Sequence, residues 1–230
     1  MTNLPLLLLH GALDSARQFD ALRPLLPSGW PVHAPDFPGH GEKAGDDLPF
    51  SMQRFSDFML NYLDACNIMT VNMFGYSMGG YAALYFAWKH PERTGRIFTL
   101  GTKFDWTPET AAKETALLDP EKIESKVPAF ARMLSERHAS GDWKAVLRRT
   151  ADLLRNLGDG HGIPPGALAA TDCPVTVGLG EWDNMVTPEE SRAVAESLPR
   201  GRFDILSGCK HPIEQVDFVL LAERLKEFFR

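Results

Sequence analysis

The sequence predicts an α/β fold, a mostly parallel sheet of about six strands flanked by helices on both faces. Short apolar runs alternate with amphipathic helical stretches along most of the chain. The residues able to carry chemistry fall just past the ends of those runs, where parallel sheets bind their ligands. A length of 230 residues with 44% hydrophobic content can bury a sizeable single core.

The strand runs lie at 4–9, 31–34, 70–74, 97–100, 174–179 and 202–206. The helical patterns lie at 52–66, 78–90, 188–198 and 213–229. In the last, Val216, Val219, Leu220 and Leu225 give an apolar stripe at helical spacing, closed by Phe228 and Phe229. Between Gly101 and Thr171 the alternation stops and charged amphipathic helix takes over. The chain therefore reads as one domain over 1–230 with a helical cap or lid inserted at 102–171, after the strand that ends near Leu100. Thr107-Pro108 and Asp119-Pro120 each read as an N-cap followed by proline at the first helical position, and Asp142 is a further N-cap. Behind Asp142, Trp143, Val146, Leu147, Thr150, Leu154 and Leu157 recur at helical spacing. The glycine- and proline-rich stretch from Gly158 to Gly166 breaks structure and could serve as a return hinge.

Gly75-Tyr76-Ser77-Met78-Gly79 joins a strand run to a helical run. Glycines on either side of the serine let strand and helix backbones approach closely, holding the Ser77 hydroxyl exposed at the apex of a sharp turn. Serine is a weak nucleophile until a histidine base and an orienting carboxylate assist it. His211 follows the last strand run, and Asp183 follows the run at 174–179. Asp172 precedes its strand and Asp204 lies inside one, so neither reaches the site as easily. The run ending in His10-Gly11-Ala12 can aim a backbone N–H at a substrate carbonyl; the oxyanion donors are assigned to the amides of Ala12 and Met78.

On His10-Gly11, Asp36-Phe37-Pro38-Gly39-His40-Gly41, Gly75 to Gly80, Asp183 and His211, the chain resembles the α/β-hydrolase fold across its whole length. The resemblance implies a serine hydrolase with the chain order Ser77, Asp183, His211. It also implies that the Asp36 to Gly41 segment shapes a loop at the rim of the site; as a departure from the family pattern, the first strand run begins at residue 4, and the antiparallel hairpin that commonly opens this fold is expected to be missing. The expected substrate is a small or medium carboxylic ester or thioester, cleaved through an acyl-enzyme on Ser77. Serine at position 77, where some members carry aspartate, disfavours covalent-alkyl chemistry. The alternatives are a carbon–carbon bond hydrolase, a lyase resembling the menaquinone-pathway synthase, and a non-catalytic ligand receptor. The lyase type usually follows the shared motif with arginine, and here the residue is Tyr81.

Tyr76, Phe104, Trp106 and Trp182 are the candidates for the substrate pocket, although aromatics in the cap, including Phe130 and Trp143, are equally needed for docking it. Lys103, Arg132 and Arg137 could hold a substrate carboxylate or simply face solvent. His10 and His40 read as structural rings that satisfy backbone groups, and His33, His90, His138 and His161 lack metal-ligand spacing. No metal and no cofactor is called for. A net charge of −6 without a Lys/Arg cluster argues against a nucleic-acid partner. Cys66, Cys173 and Cys209 are odd in number and widely spaced, which fits reduced thiols and a cytoplasmic location. The leucine-rich start is too short for an export signal, and no stretch approaches a membrane span.

Overall fold

The computed structural model describes residues 4–230. Its strands are β1 (Leu6–Leu9), β2 (Val32–His33), β3 (Val71–Tyr76), β4 (Thr94–Leu100), β5 (Val175–Gly180) and β6 (Gly201–Leu206). They form one sheet in the order β2-β1-β3-β4-β5-β6, and every pair among the described residues is parallel. Successive side chains of a strand point to opposite faces. Leu7 and Leu9 accordingly enter one core, with Met73, Ile97, Val175 and Val177, while Leu6 and Leu8 enter the other, with Phe74, Phe98 and Leu100. Apolar residues at consecutive positions are what a strand covered on both faces requires.

The first core is covered by α1 (Met52–Ala65) and α2 (Met78–Lys89) and reaches residues of α7 (Pro188–Ser197); the second is covered by α8 (Phe218–Phe229) and by Phe19, Leu22 and Leu26. Residues 78–87 of α2 are all buried, so this helix is apolar all round. Ser51, Thr187 and Asp217 cap α1, α7 and α8 by accepting first-turn amides.

The final helix is shorter than the 213–229 pattern suggests. Residues 213–215 form a separate 3-10 turn, Val216 is extended, and Asp217 restarts the chain as a helix by accepting the amides of Val219 and Leu220. Val216, Leu225, Phe228 and Phe229 are buried as the stripe predicts, and one position differs. Val219 is 58% exposed, and Leu221, Ala222 and Leu225 take the buried positions with Phe228 and Phe229.

Four helices lie between β4 and β5: α3 (Pro108–Thr115), α4 (Pro120–Lys126), α5 (Pro128–Arg137) and α6 (Trp143–Gly158). Thr107, Asp119 and Asp142 cap α3, α4 and α6 as their sequence positions suggest. The α4–α5 break is invisible to periodicity, because Val127 is both the last cap of one helix and the first of the next. Ile123, Ala131, Leu134 and Leu147 make a small core of this segment, against which Leu13 packs from the loop after β1. On α6, Val146, Leu153 and Leu157 join the main core instead. Burying an aliphatic side chain of this size contributes about 1.5–3 kcal/mol, so α6 anchors the segment to the sheet.

Candidate active site

Ser77 sits where β3 turns into α2, at φ 51° and ψ −117°. A non-glycine residue with positive φ is uncommon and persists only where its surroundings over-determine it. Here the Ser77 amide donates to Leu100 O at 2.8 Å, and Thr102 Oγ1 donates to Ser77 O at 3.1 Å. A Cβ on Gly75 would stand 2.4 Å from Gly79 O, and one on Gly79 would stand 2.1 Å from Leu9 O. Those contacts explain the glycines flanking the serine. Although Ser77 occupies the N-cap position of α2, its hydroxyl makes no capping bond, so it is left for the cavity beside it.

His211 and Asp183 meet 2.8 Å apart, Nδ1 to Oδ2. The other carboxylate oxygen, Oδ1, accepts the amides of Met185 at 2.8 Å and Val186 at 2.9 Å. Burial by itself would raise the Asp183 carboxyl, but the hydrogen bond and charge of His211 and those two amides outweigh it, and the pKa lies below its ordinary value. With its Nδ1–H donated to the Asp183 carboxylate, the imidazole keeps Nε2 as its proton-accepting atom. The loops bearing the two residues are bolted together. Trp182 N donates to Cys209 O at 2.9 Å, and Glu181 Oε2 accepts from Ser207 Oγ at 2.7 Å and Gly208 N at 2.8 Å. The Tyr76 hydroxyl donates to the His211 carbonyl, and burial pushes that phenol well above its usual range.

The loop after β1 is fixed from several sides. His10 is fully buried; its Nε2 accepts the Phe37 amide at 3.0 Å, so the proton sits on Nδ1 and is donated to Gly11 O at 2.8 Å. Loss of solvent dominates its environment, lowering its pKa to about 4. Because a trans peptide points its C=O and N–H in opposite directions, holding Gly11 O fixes the direction of the Ala12 N–H. Gly11 N is itself taken by Gln18 Oε1 at 2.9 Å. The Met78 amide is in the first turn of α2, where backbone donors have no partner within the helix and carry its positive dipole end.

Ala12, Ser77, Met78 and His211 all line one cavity of about 410 Å³. Its remaining wall is mostly apolar, with Trp106, Leu118, Ile123, Phe130, Met133, Leu154 and Val186. Of the four aromatic candidates, Tyr76 and Trp106 line it. Phe104 instead packs on the Tyr81 ring with centroids 6.0 Å apart, and Trp182 is 60% exposed; neither is in the lining. Arg137 reaches the cavity already engaged, its Nε 3.2 Å from Asp14 and its Nη2 3.7 Å from Glu214. Burial raises the Asp14 carboxyl to about 6 in spite of that guanidinium. Arg132 does not line the cavity, whereas Lys103 does. Gln18 and His138 carry roles that no motif marks: Gln18 accepts the Gly11 amide, and the partners of His138 are main-chain atoms of loops distant in sequence. Among the described residues no cluster of His, Cys, Asp and Glu could hold a metal ion, and no helix is long and apolar enough to cross a membrane.

A family model described as the alpha/beta hydrolase family matches residues 6–228. A pimeloyl-[acyl-carrier protein] methyl ester esterase of Neisseria meningitidis is 38% identical over 128 residues, which are 55% of this chain and 44% of that protein. The chain thus spans less than half the length of that curated relative. A serine hydrolase-like protein of Homo sapiens is 27% identical over 171 residues, 74% of this chain and 84% of that one. Among solved structures, a thermophilic esterase from Thermogutta terrifontis superposes with a TM-score of 0.76 at 23% identity, covering 100% of this chain and 92% of that one. At that identity the likeness speaks for the fold.

Proposed function

The chain belongs to the alpha/beta hydrolase family, and on that footing we propose that it is a serine esterase cleaving a small or medium carboxylic ester or thioester. The observation that carries the reading is that His211, held 2.8 Å from Asp183, lines the same cavity as a serine held at positive φ with its hydroxyl uncommitted. His211 Nε2 takes the Ser77 proton as Oγ attacks the carbonyl carbon, and Asp183, kept ionised, stabilises the imidazolium. The amides of Ala12 and Met78 receive the negative oxygen of the tetrahedral intermediate, each worth roughly 3 kcal/mol. His211 then protonates the leaving alcohol or thiol. Water, deprotonated by the same ring, releases the acyl group from Ser77.

Helices α3 to α6 act as the cap of this site, in one domain with the sheet, and the apolar lining they supply suits an uncharged acyl chain. Arg137 is already paired with Asp14 and Glu214, so a carboxylate at the far end of the chain would have to compete with them for it. A methyl ester esterase among the relatives supports the reaction class. The receptor alternative calls for an apolar outer cap face, and Leu117 and Val127 are the large apolar residues exposed there among the described residues; Leu117 is itself part of the cavity wall.

Hydrolysis of p-nitrophenyl esters of graded acyl length tests the proposal. The native protein should show a burst of nitrophenol and steady turnover, with an optimum at medium chain length; Ser77→Ala should lower kcat by at least ~10³-fold. Folded protein inert toward every ester would overturn it.

A further inference from the structure

One turn of the cap grips the loop that bears the oxyanion donor. Leu13, immediately after Ala12, has φ 62°, a left-handed backbone that a branched apolar residue does not adopt unaided. Its carbonyl oxygen accepts two side chains from the end of α5, Arg137 Nη1 at 3.2 Å and His138 Nε2 at 3.2 Å. The His138 tautomer is dictated at its other nitrogen: Nδ1 accepts the Gly41 amide at 2.9 Å, so Nε2 carries the proton and donates. The ring is fully buried. Arg137 grips the next residue as well, with Nε 3.2 Å from Asp14 Oδ1. Asp14 Oδ2 accepts from Gln18 Nε2 at 3.0 Å, and Gln18 Oε1 accepts the Gly11 amide at 2.9 Å, which closes the circuit around Ala12. The Leu13 side chain lies against the cap's own core, so packing and hydrogen bonds pull the loop the same way.

We propose that Arg137 and His138 are positioning residues for the oxyanion hole, holding the strained Leu13 backbone so that the Ala12 N–H faces the reacting carbonyl. The inference rests on the esterase reading for its kinetic consequence, not for its structural one. Docking of α5 and catalytic competence are then one event: a cap that lifts releases Leu13, the backbone relaxes to negative φ, and the donor turns away. Such a device acts on the transition state more than on substrate affinity, because the oxyanion exists only there.

The test uses the full chain with His138→Asn, which keeps an acceptor for the Gly41 amide but no donor for Leu13 O, and His138→Gln, whose longer amide restores that donor. Arg137→Met and Arg137→Lys form the second pair, the lysine keeping the charge beside Asp14. With a medium-chain p-nitrophenyl ester, His138→Asn and Arg137→Met should each lower kcat about tenfold or more with KM changed less than twofold. His138→Gln should recover most of the loss. In parallel, hydrogen exchange of the 11–16 segment, read by mass spectrometry under folding conditions, should quicken in the variants that lose kcat. Unchanged kcat in both, or kcat and KM moving together with no rescue by glutamine, would overturn the proposal. Should the native protein hydrolyse no ester, the esterase reading falls alone; the exchange data then decide, since unaltered protection of residues 11–16 would show that α5 does not hold the loop.

Discussion

Asp183 takes two main-chain amides while holding His211 at the cavity, whereas Leu118, Ile123 and Phe130 border the same space through apolar surface. The floor of the site is built at strand ends, and nearly every group there is fixed by a hydrogen bond whose partner is backbone. The roof is built on helix faces that meet the ligand space through packing, with hydrogen bonds concentrated at the end of α5. Hydrogen-bond geometry is directional and tolerates little displacement, while apolar contact is not and can be reshaped one side chain at a time. A single chain can therefore keep its chemistry constant and vary what it accepts.

The sharpest way to break this contrast is on the floor. Beyond Ser77→Ala, Asp183→Asn should lower kcat by about 10⁴-fold while leaving the thermal melt nearly unchanged, because the amide fits the space but stabilises the wrong imidazole tautomer. A loss below tenfold would mean that Asp183 does not orient His211 for catalysis. Next in size is a change of volume. In Gly79→Ala the new methyl would lie 2.1 Å from Leu9 O, a backbone atom that cannot yield without moving β1. Urea denaturation should show a loss of about 3 kcal/mol, against less than about 1.5 kcal/mol for Met133→Leu in the roof. Equal losses would erase the distinction.

The floor was also the legible part in sequence. Glycines around Ser77, and Asp183 and His211 each just past an apolar run, are local signals, and the turn geometry that demands them is local as well. The six strands were readable for the same reason, and their ends moved by only a few residues. What escaped reading depends on long-range partners. Tyr76 lines the cavity as read, but the bond from its hydroxyl to the His211 carbonyl joins residues 135 positions apart and has no local signal. His138 looks unremarkable until Leu13 and Gly41, over a hundred and nearly a hundred positions away, are seen to bond it. Val219 was read into the α8 stripe but is exposed, because Asp217 restarts the helix, a choice between competing caps that periodicity does not record. Phe104 and Trp182 illustrate the remaining gap: aromatic residues near a site in sequence divide between lining, packing and exposure according to helix docking.

Acid should separate the two regions next. His10 and His138 have pKa values lowered to about 4, chiefly by burial, and His40 is lowered as well for the same reason. All three lie at the seam where the α3–α6 segment meets the loops at the strand ends, with Asp36, Arg137 and Arg149 as the charges facing them. The unfolded chain binds these protons near pH 6.5 and the folded chain does not, so the stabilisation is complete above that pH and is lost as the pH falls toward about 4. Asp14 works in the opposite sense: its carboxyl, raised to about 6, favours the folded state as it protonates and offsets part of the loss. Asp183, with a lowered pKa, gives up its contribution only below the ordinary aspartate value of 3.8. The urea midpoint should therefore drop between pH 7 and pH 5, with hydrogen exchange quickening first around residues 11–16 and 138–141 and later around 181–186. Exchange that quickens uniformly would contradict a separate seam.

The smallest expected effects distinguish two tryptophans that sequence treats alike. Trp106 lines the cavity, with its indole N–H donating to Lys103 O at 3.2 Å, so it is an oriented wall. Trp182 is 60% exposed on the loop before Asp183. Truncating a cavity wall enlarges the ligand space and forfeits contact area, whereas removing an exposed ring leaves both as they were. Trp106→Ala should raise KM for the preferred ester about tenfold and move the chain-length optimum upward by one or two carbons, on the order of one lost indole's contact. Trp182→Ala should change KM less than twofold and stability by less than about 0.5 kcal/mol. If the exposed ring proves the costlier of the two, substrate reaches Ser77 across the Asp183 loop, and that loop would serve recognition as well as orienting the base.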